Sequence, residues 1–222
     1  MRRLLARIGR GLVYAATIIL GLTVGVLLAL NLLDPPTTTV QAQRRVESWF
    51  EDGGYVKQFR FVPLEAIDED LQWAVIASED GRFYEHSGVD WQAVEEAVDE
   101  YRKGRRLRGA STITQQLVKN LFLTTHSTFI RKALELPLAY LADFLLPKKR
   151  ILELYLNVIE WGPGVYGAEA AARYHYGTSA SSLTRDQAAR LAASLPDPRR
   201  RRPQRMNRLS ESIKVRMGQL GH

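Results

Sequence analysis

Residues Gly11 to Leu33 are 23 consecutive uncharged and mostly apolar positions, and this run constrains the fold more than any other feature of the chain. Wound as a helix it reaches about 34 Å, which covers the hydrocarbon core of a bilayer with some tilt. Arg2, Arg3, Arg7 and Arg10 precede it, and Asp34, Pro35 and Pro36 follow. The positive-inside rule then puts the N-terminus in the cytoplasm and everything after Asp34 outside. A cleaved signal peptide ending near Val40-Gln41-Ala42 is the competing reading. Its apolar stretch would normally be about 7 to 15 residues, so an uncleaved single-pass anchor is preferred. The expected division is an N-terminal segment over 1–10, a transmembrane anchor over 11–33, a tether over 34–54 and one folded domain over 55–222.

The net charge of +7 and the basic isoelectric point invite a nucleic-acid reading. The charge is confined to two places, however. Four of the arginines flank the apolar run, and Arg199, Arg200, Arg201, Arg202 and Arg205 lie near the C-terminus. Without them the body of the chain is slightly acidic. Contact with anionic lipid head groups fits that distribution better than a groove tracking nucleic acid, and a solvated arginine tail is the alternative for 199–202. The absence of cysteine excludes a thiol nucleophile and cysteine metal sites.

After the anchor, Pro35 to Gln43 reads as a polar tether. A short helix follows around Arg44 to Glu51, then a break at Gly53-Gly54. Alternation over Tyr55 to Val62 makes this the one convincing strand. Helical periodicity dominates from Pro63 onward, over about 65–79, 90–103, 110–122, 128–146, 148–158, 165–176, 184–195 and 204–219. The fold class expected is therefore mainly α, preceded by one transmembrane helix.

The segment Ser78 to Gly88 concentrates chemistry, with three carboxylates, a histidine and two aromatics. Ile67, Leu71, Ala74, Val75 and Ser78 repeat at helical spacing, so Glu79 falls in the last turn of a helix that Gly81 ends. A carboxylate at such a junction beside Phe83 and Tyr84 is partly desolvated, which favours its neutral form and makes it a better proton acceptor. The alternative is a solvated acidic helix end capped by Asp80. His86 invites a metal reading with Asp80 and Glu85, but a histidine bonded to its own loop is preferred.

In the segment Arg108 to Asn120, Thr112, Gln115, Gln116 and Lys119 fall on one polar stripe. Gly109 stands just before the helix, and Ser111 and Thr112 lie in its first turn. Free amides and the helix dipole at such an end attract anions, so a phosphate-bearing ligand suits it.

These residues carry a family resemblance. Glu79-Asp80 with Phe83, His86 and Gly88 resembles the first signature of the peptidoglycan glycosyltransferases (glycosyltransferase family 51). Gly109 to Asn120 resembles the second, and Arg131-Lys132 with Glu135 the third. Lys149 to Gly167, with Ile151-Leu152-Glu153, Tyr155-Leu156-Asn157, Gly162 and Gly164, resembles the fourth, and Leu195-Pro196 with Pro198 the fifth. Five motifs in order over about 64–200 make a specific signal. Within that family the chain looks like the monofunctional, membrane-anchored Gram-negative type, since no Ser-x-x-Lys of a transpeptidase occurs in it.

The resemblance implies a lysozyme-like helical domain with a large lobe and a small mobile one, held on the periplasmic side of the bacterial inner membrane. It implies polymerisation of lipid II, in which the 4-hydroxyl of an acceptor sugar displaces undecaprenyl pyrophosphate from the growing glycan with inversion. Glu79 is then the general base and Glu135 the second catalytic carboxylate. Asp80, Phe83, Gly109, Ser111, Thr112, Gln115, Gln116, Lys119, Arg131 and Lys132 are the substrate-binding residues. No cofactor is required, although Glu135 leaves room for a divalent ion, Mg or Mn, against the diphosphate. Read without the family, Glu135 is an ordinary helical partner of Arg131. Glu153, Tyr155 and Asn157 are architecture. Lipid II, membrane lipids and other proteins of cell-wall synthesis are the expected partners, and nucleic acid is not.

Two departures stand out. The family pattern usually places an arginine eight residues after the motif-two lysine, where this chain has Ser127, so Arg131 must compensate or donor affinity is altered. Tyr174-His175-Tyr176-Gly177 replaces the more usual Tyr-Phe pair, a change expected to affect packing. Thr124 to Thr128 reads as a loop, a candidate flap over the donor groove. The apolar run Leu136 to Leu146 is either a buried helix or one lying partly in the outer leaflet. The rival functions are a lysozyme-like hydrolase or lytic transglycosylase, which gains little from cations around a leaving group, and a non-catalytic scaffold.

Overall fold

The structure is a computed structural model describing residues 2–50, 55–105 and 109–222, with side chains from residue 7 onward. The Gly53-Gly54 break and Arg108 lie outside the described residues. The chain forms two compact units, 1–35 and 36–222.

The first unit is the helix α1, Arg2–Ala29. Its segment Arg7–Ala29 has a mean hydropathy of 2.4 and is long and apolar enough to cross a membrane. The hydroxyls of Thr17 and Thr23 donate back to Val13 O (3.0 Å) and Ile19 O (2.9 Å), so both are satisfied within the helix. The helix stops at Ala29 instead of reaching Leu33. Asn31 contributes to that stop, because its side-chain amide takes the Leu28 carbonyl at 3.3 Å.

In the second unit the short helix expected around Arg44 begins earlier, as α2, Thr39–Glu47, and takes in part of the expected tether. Thr38 caps it by accepting from Gln41 N at 3.3 Å. Thr39 Oγ1 donates to Leu121 O at 2.7 Å and Gln41 Nε2 to Val158 O at 3.3 Å. The polar residues that suggested solvent are therefore caps and docking groups. The helices that follow are α3 Glu69–Glu79, α4 Trp91–Arg102, α5 Ile113–Phe122, α6 Phe129–Leu145, α7 Lys148–Val158, α8 Ala168–Tyr176, α9 Arg185–Ser194 and α10 Asn207–Gln219.

The long strand expected over 55–62 shrinks to β1, Gln58–Phe59. It pairs in parallel with β3, Val165–Tyr166, which also pairs antiparallel with β2, Glu160–Gly162. The segment after β1 is held by a side chain instead of a ladder. Asn157 accepts from Val62 N and donates to Val62 O, both at 2.9 Å. The helix expected to begin at 165 starts only at Ala168, because Val165 and Tyr166 are taken by the sheet.

Two groups of helices frame the site. α3 packs on α9 and α10, and α5 packs on α6 and α7. α7 is the core element, with Ile151, Leu152, Leu154, Tyr155, Leu156 and Val158 all buried. Ala188, Ala189, Ala192 and Ala193 on α9 are small and buried, which lets α3 approach closely.

The loop between α3 and α4 is pinned at Gly88, whose φ is +81° and whose carbonyl accepts from Thr112 Oγ1 at 2.6 Å. A Cβ there would stand 2.6 Å from Ala139 O, against the backbone of α6. Gly88→Ala is expected to destabilise the protein by about 2 kcal/mol or more, from left-handed strain plus that clash. Chemical denaturation of the detergent-solubilised chain measures it.

Candidate active site

Glu79 is the last residue of α3 and Asp80 its C-terminal flank. Asp80 is buried and fully engaged: Oδ1 lies 2.9 Å from His86 Nε2, and Oδ2 accepts from Ile113 N at 2.9 Å. The chain's own carboxylate thus occupies the N-terminus of α5. Thr112 and Gln115 complete a capping box there. Gln115 N donates to Thr112 Oγ1 (3.1 Å) and Thr112 N to Gln115 Oε1 (3.0 Å). Asp80, Thr112 and Gln115 thus join the α3 loop to α5, and Asp80 and Thr112 also form part of a cavity wall. Phe83 is likewise fully buried beneath the loop, with Lys148 Nζ 4.8 Å from its ring centroid. It packs beneath the site.

Beyond its cap, α5 turns Gln116 and Lys119 toward the cleft. Gln116 Nε2 donates to Glu79 Oε2 at 2.8 Å, and Gln116 Oε1 accepts from the Tyr155 hydroxyl at 3.0 Å. Two cavities meet at this chain of hydrogen bonds. The first, about 490 Å³, is lined by Glu79, Ser78, Gly109 and Ser111, with Arg216 and Gln219 from α10. The second, about 310 Å³, is lined by Gln116, Lys119, Tyr155 and Arg131, with Arg44 from α2, Glu160 and Arg199. Four cations face the second cavity against Glu160 and Asp197.

Glu135 lies behind both, 2% exposed. Its Oε1 pairs with Arg131 and its Oε2 with Lys132 Nζ at 2.7 Å, and Lys132 Nζ also donates to Ser111 Oγ at 2.8 Å. The helical ion pair expected from spacing alone is present, and a second cation joins it. With both oxygens held by cations, the surroundings of Glu135 do not fit a divalent ion. Ligand atoms of Asp80, His86 and Asp90 lie within 4.8 Å of one another. There, however, Asp90 is held by Arg82 through two bonds of 3.0 and 3.1 Å, and Glu85 is not part of the group.

Burial raises the pKa of the Glu79 carboxyl, against the opposing pull of Gln116, Lys119 and Arg216. Burial likewise lowers that of the Lys119 ammonium, helped by Arg131. Among the described residues no hydrogen bond or ion pair ties Lys119 Nζ, which leaves its donors facing the second cavity. A carboxyl group with a raised pKa thus sits beside a cavity lined by four cations and two carboxylates.

Residues 45–220 match the transglycosylase family. The chain belongs to the transglycosylase family. Similar proteins include the biosynthetic peptidoglycan transglycosylase of Pseudomonas fluorescens SBW25, 48% identical over 78% of this chain and 72% of that one. That of Bordetella pertussis is 49% identical over 75% and 71%, and that of Pseudomonas entomophila 46% over 88% and 81%.

Within this transglycosylase the residues drawn from the motifs separate into two sets. Glu79, Asp80, Gly109, Ser111, Thr112, Gln116, Lys119 and Arg131 line the cavities. Glu135 and Lys132 brace them from behind. Sequence reasoning missed Arg44 and Arg216 and read Arg199 only as part of the C-terminal arginine cluster. It also read Tyr155 as architecture, although its position one helical turn before Ile159 gives no hint that its hydroxyl reaches Gln116. Tyr155→Phe leaves Gln116 Oε1 without its donor and frees the amide to rotate away from Glu79, at a cost of about 1 to 3 kcal/mol. Turnover should fall about tenfold with KM little changed. The acid limb of the pH profile should move upward, because a hydrogen bond that favours ionised Glu79 is weakened.

Proposed function

We propose that this chain polymerises lipid II into peptidoglycan strands, with the acceptor sugar in the Glu79 cavity and the donor pyrophosphate in the Lys119 cavity. Glu79 takes the proton of the acceptor 4-hydroxyl. The new C1–O4 bond forms as the bond from C1 to the pyrophosphate oxygen breaks, and the electron pair leaves on the pyrophosphate. One displacement converts an α-linked donor into a β-1,4 link. Lys119 and Arg131, with Arg44 and Arg199 on the same cavity, stabilise the departing charge. Glu135 fixes where Arg131 and Lys132 point. No step runs through a metal ion.

The observation that carries this reading is the junction of a half-buried carboxylate with a cavity bearing four cations. A hydrolase would also use a carboxyl with a raised pKa, but its sugar leaving group gains nothing from those cations. The test is polymer formation from lipid II by the detergent-solubilised protein, with the products examined for reducing ends. Cleavage of preformed strands without polymerisation would move the assignment to the hydrolytic class.

The anchor is placed in the bacterial inner membrane with the N-terminus inside and the catalytic unit in the periplasm, supported by the arginines ahead of α1. A second membrane contact is supported by α6. Ala139 and Ala142 on it are buried, while Phe129, Ile130, Leu134 and Phe144 are exposed, Phe129 by 89% and Phe144 by 86%. Residues 36–222, freed of the anchor, are expected to float with liposomes, and Phe129→Ser with Phe144→Ser to weaken that binding. A soluble unit that leaves liposomes untouched would refute the contact.

A further inference from the structure

The arginine run near the C-terminus is a folded strap and not a tail. The amides of Arg200 and Arg201 donate to Asp197 O at 3.2 and 2.8 Å. The Arg201 guanidinium reaches Ala193 O at 3.1 Å, and Gln204 Nε2 donates to His175 O at 2.8 Å. Pro203 is buried and opens a single helical turn before α10. Between this strap and the end of α8 lies a cavity of about 470 Å³, within the range of ligand pockets, about 300 to 1,000 Å³. Its walls present Arg199, Arg201, Arg202 and Arg205 together with His175 and Gln204, and among the described residues no carboxylate lines it. The His175 ring is fixed by its bond to Trp161 O at 3.0 Å. The histidine that departs from the family pattern thus forms part of the floor.

The site has a neighbour that indicates its ligand. Pro198 and Arg199 line both this cavity and the one holding Lys119 and Arg131. If the latter takes the pyrophosphate of a lipid-linked donor, then the arginine cavity stands at the level of the lipid head groups. Guanidinium groups match phosphate oxygens with paired donors. We infer that the arginine cavity binds the phosphate of an anionic phospholipid head group, and the inference rests on the pyrophosphate reading of the adjoining cavity.

The test uses the full chain in uncharged detergent, titrated with phosphatidylglycerol and followed by native mass spectrometry. Phosphatidylcholine serves as the zwitterionic control and inorganic pyrophosphate as a competitor. Arg202→Gln with Arg205→Gln removes two cavity cations. Arg200→Gln with Arg208→Gln removes the same charge from exposed positions outside the cavity. Phosphatidylglycerol binding is expected to fall about tenfold in the first variant and to stay near wild type in the second. An equal loss in both, or none in the first, would overturn the site. Cavity-dependent binding of inorganic pyrophosphate without preference for phosphatidylglycerol would overturn the lipid assignment in favour of a free phosphate compound. Polymerisation from lipid II in the same detergent is read separately. Polymer without cavity-dependent lipid binding refutes this inference alone, whereas selective lipid binding without polymer refutes the catalytic reading.

Discussion

Glu79→Gln is expected to reduce polymerisation by about 10² to 10⁴, the usual worth of a general base, and to leave the protein at least as stable as wild type at pH 7.5. The two effects have one cause. Burial raises the Glu79 carboxyl in the folded state, so the fold favours the protonated form. That contribution to stability is fully present below the unfolded carboxyl's pKa and is lost as the pH rises through the folded one. At neutral pH the wild type therefore carries an ionised group that its surroundings disfavour. Glutamine keeps the shape and the bond from Gln116 but carries no charge. Thermal melts at pH 5 and pH 7.5 should show the variant gaining on the wild type as the pH rises. A variant that melts well below wild type at pH 7.5 would mean that Glu79 is a structural group.

Glu135→Gln acts in the opposite direction on stability. The carboxylate is buried between Arg131, itself 15% exposed, and Lys132. Removing one partner of a buried ionic group leaves charge uncompensated, at a typical cost of about 3 to 5 kcal/mol. The two cations then repel, and Arg131 loses the contact that aims it at the donor cavity. Polymerisation should fall at least a hundredfold, and the midpoint of denaturation should drop together with it. Residual turnover should keep the acid limb of the wild-type pH profile, since Glu79 remains the base. A shift of that limb would instead assign Glu135 a share of the proton transfer.

The helices from Glu69 to Gln219 were legible because their apolar positions recur at helical spacing, whereas the capping boxes of Thr112 and Thr184 emerge only in the structure. The segment from Thr39 was not legible. Its threonine and glutamines are polar because they cap and dock, and only the position of α5 shows what they dock on. β1 was overextended for a related reason: the alternation over 55–62 is real, but Asn157 holds the backbone that a strand partner would otherwise hold. At the site the motifs marked Glu79, Gln116, Lys119 and Glu135 by residue type and order. Distinguishing Gln115, which faces its own helix cap, from Gln116, which faces the cleft, needed the fold. Arg44 and Arg216 come from other helices with no local pattern to announce them, and Arg199 stood out only as part of an arginine run and not as a wall of this cavity.

Because Asp80 already fills the start of α5, the positive field of the cavity proposed for the donor rests on side chains and not on the backbone. A backbone anion site is fixed by the fold and indifferent to single substitutions. A field made of separate cations can be rearranged one residue at a time, and Arg44 and Arg199 face the same cavity as Lys119 and Arg131. Such a field is also softer toward ionic strength. Added salt should weaken the capture of lipid-linked donor more than that of the uncharged end of the acceptor sugar, and a diphosphate-mimicking inhibitor should lose potency along with the donor.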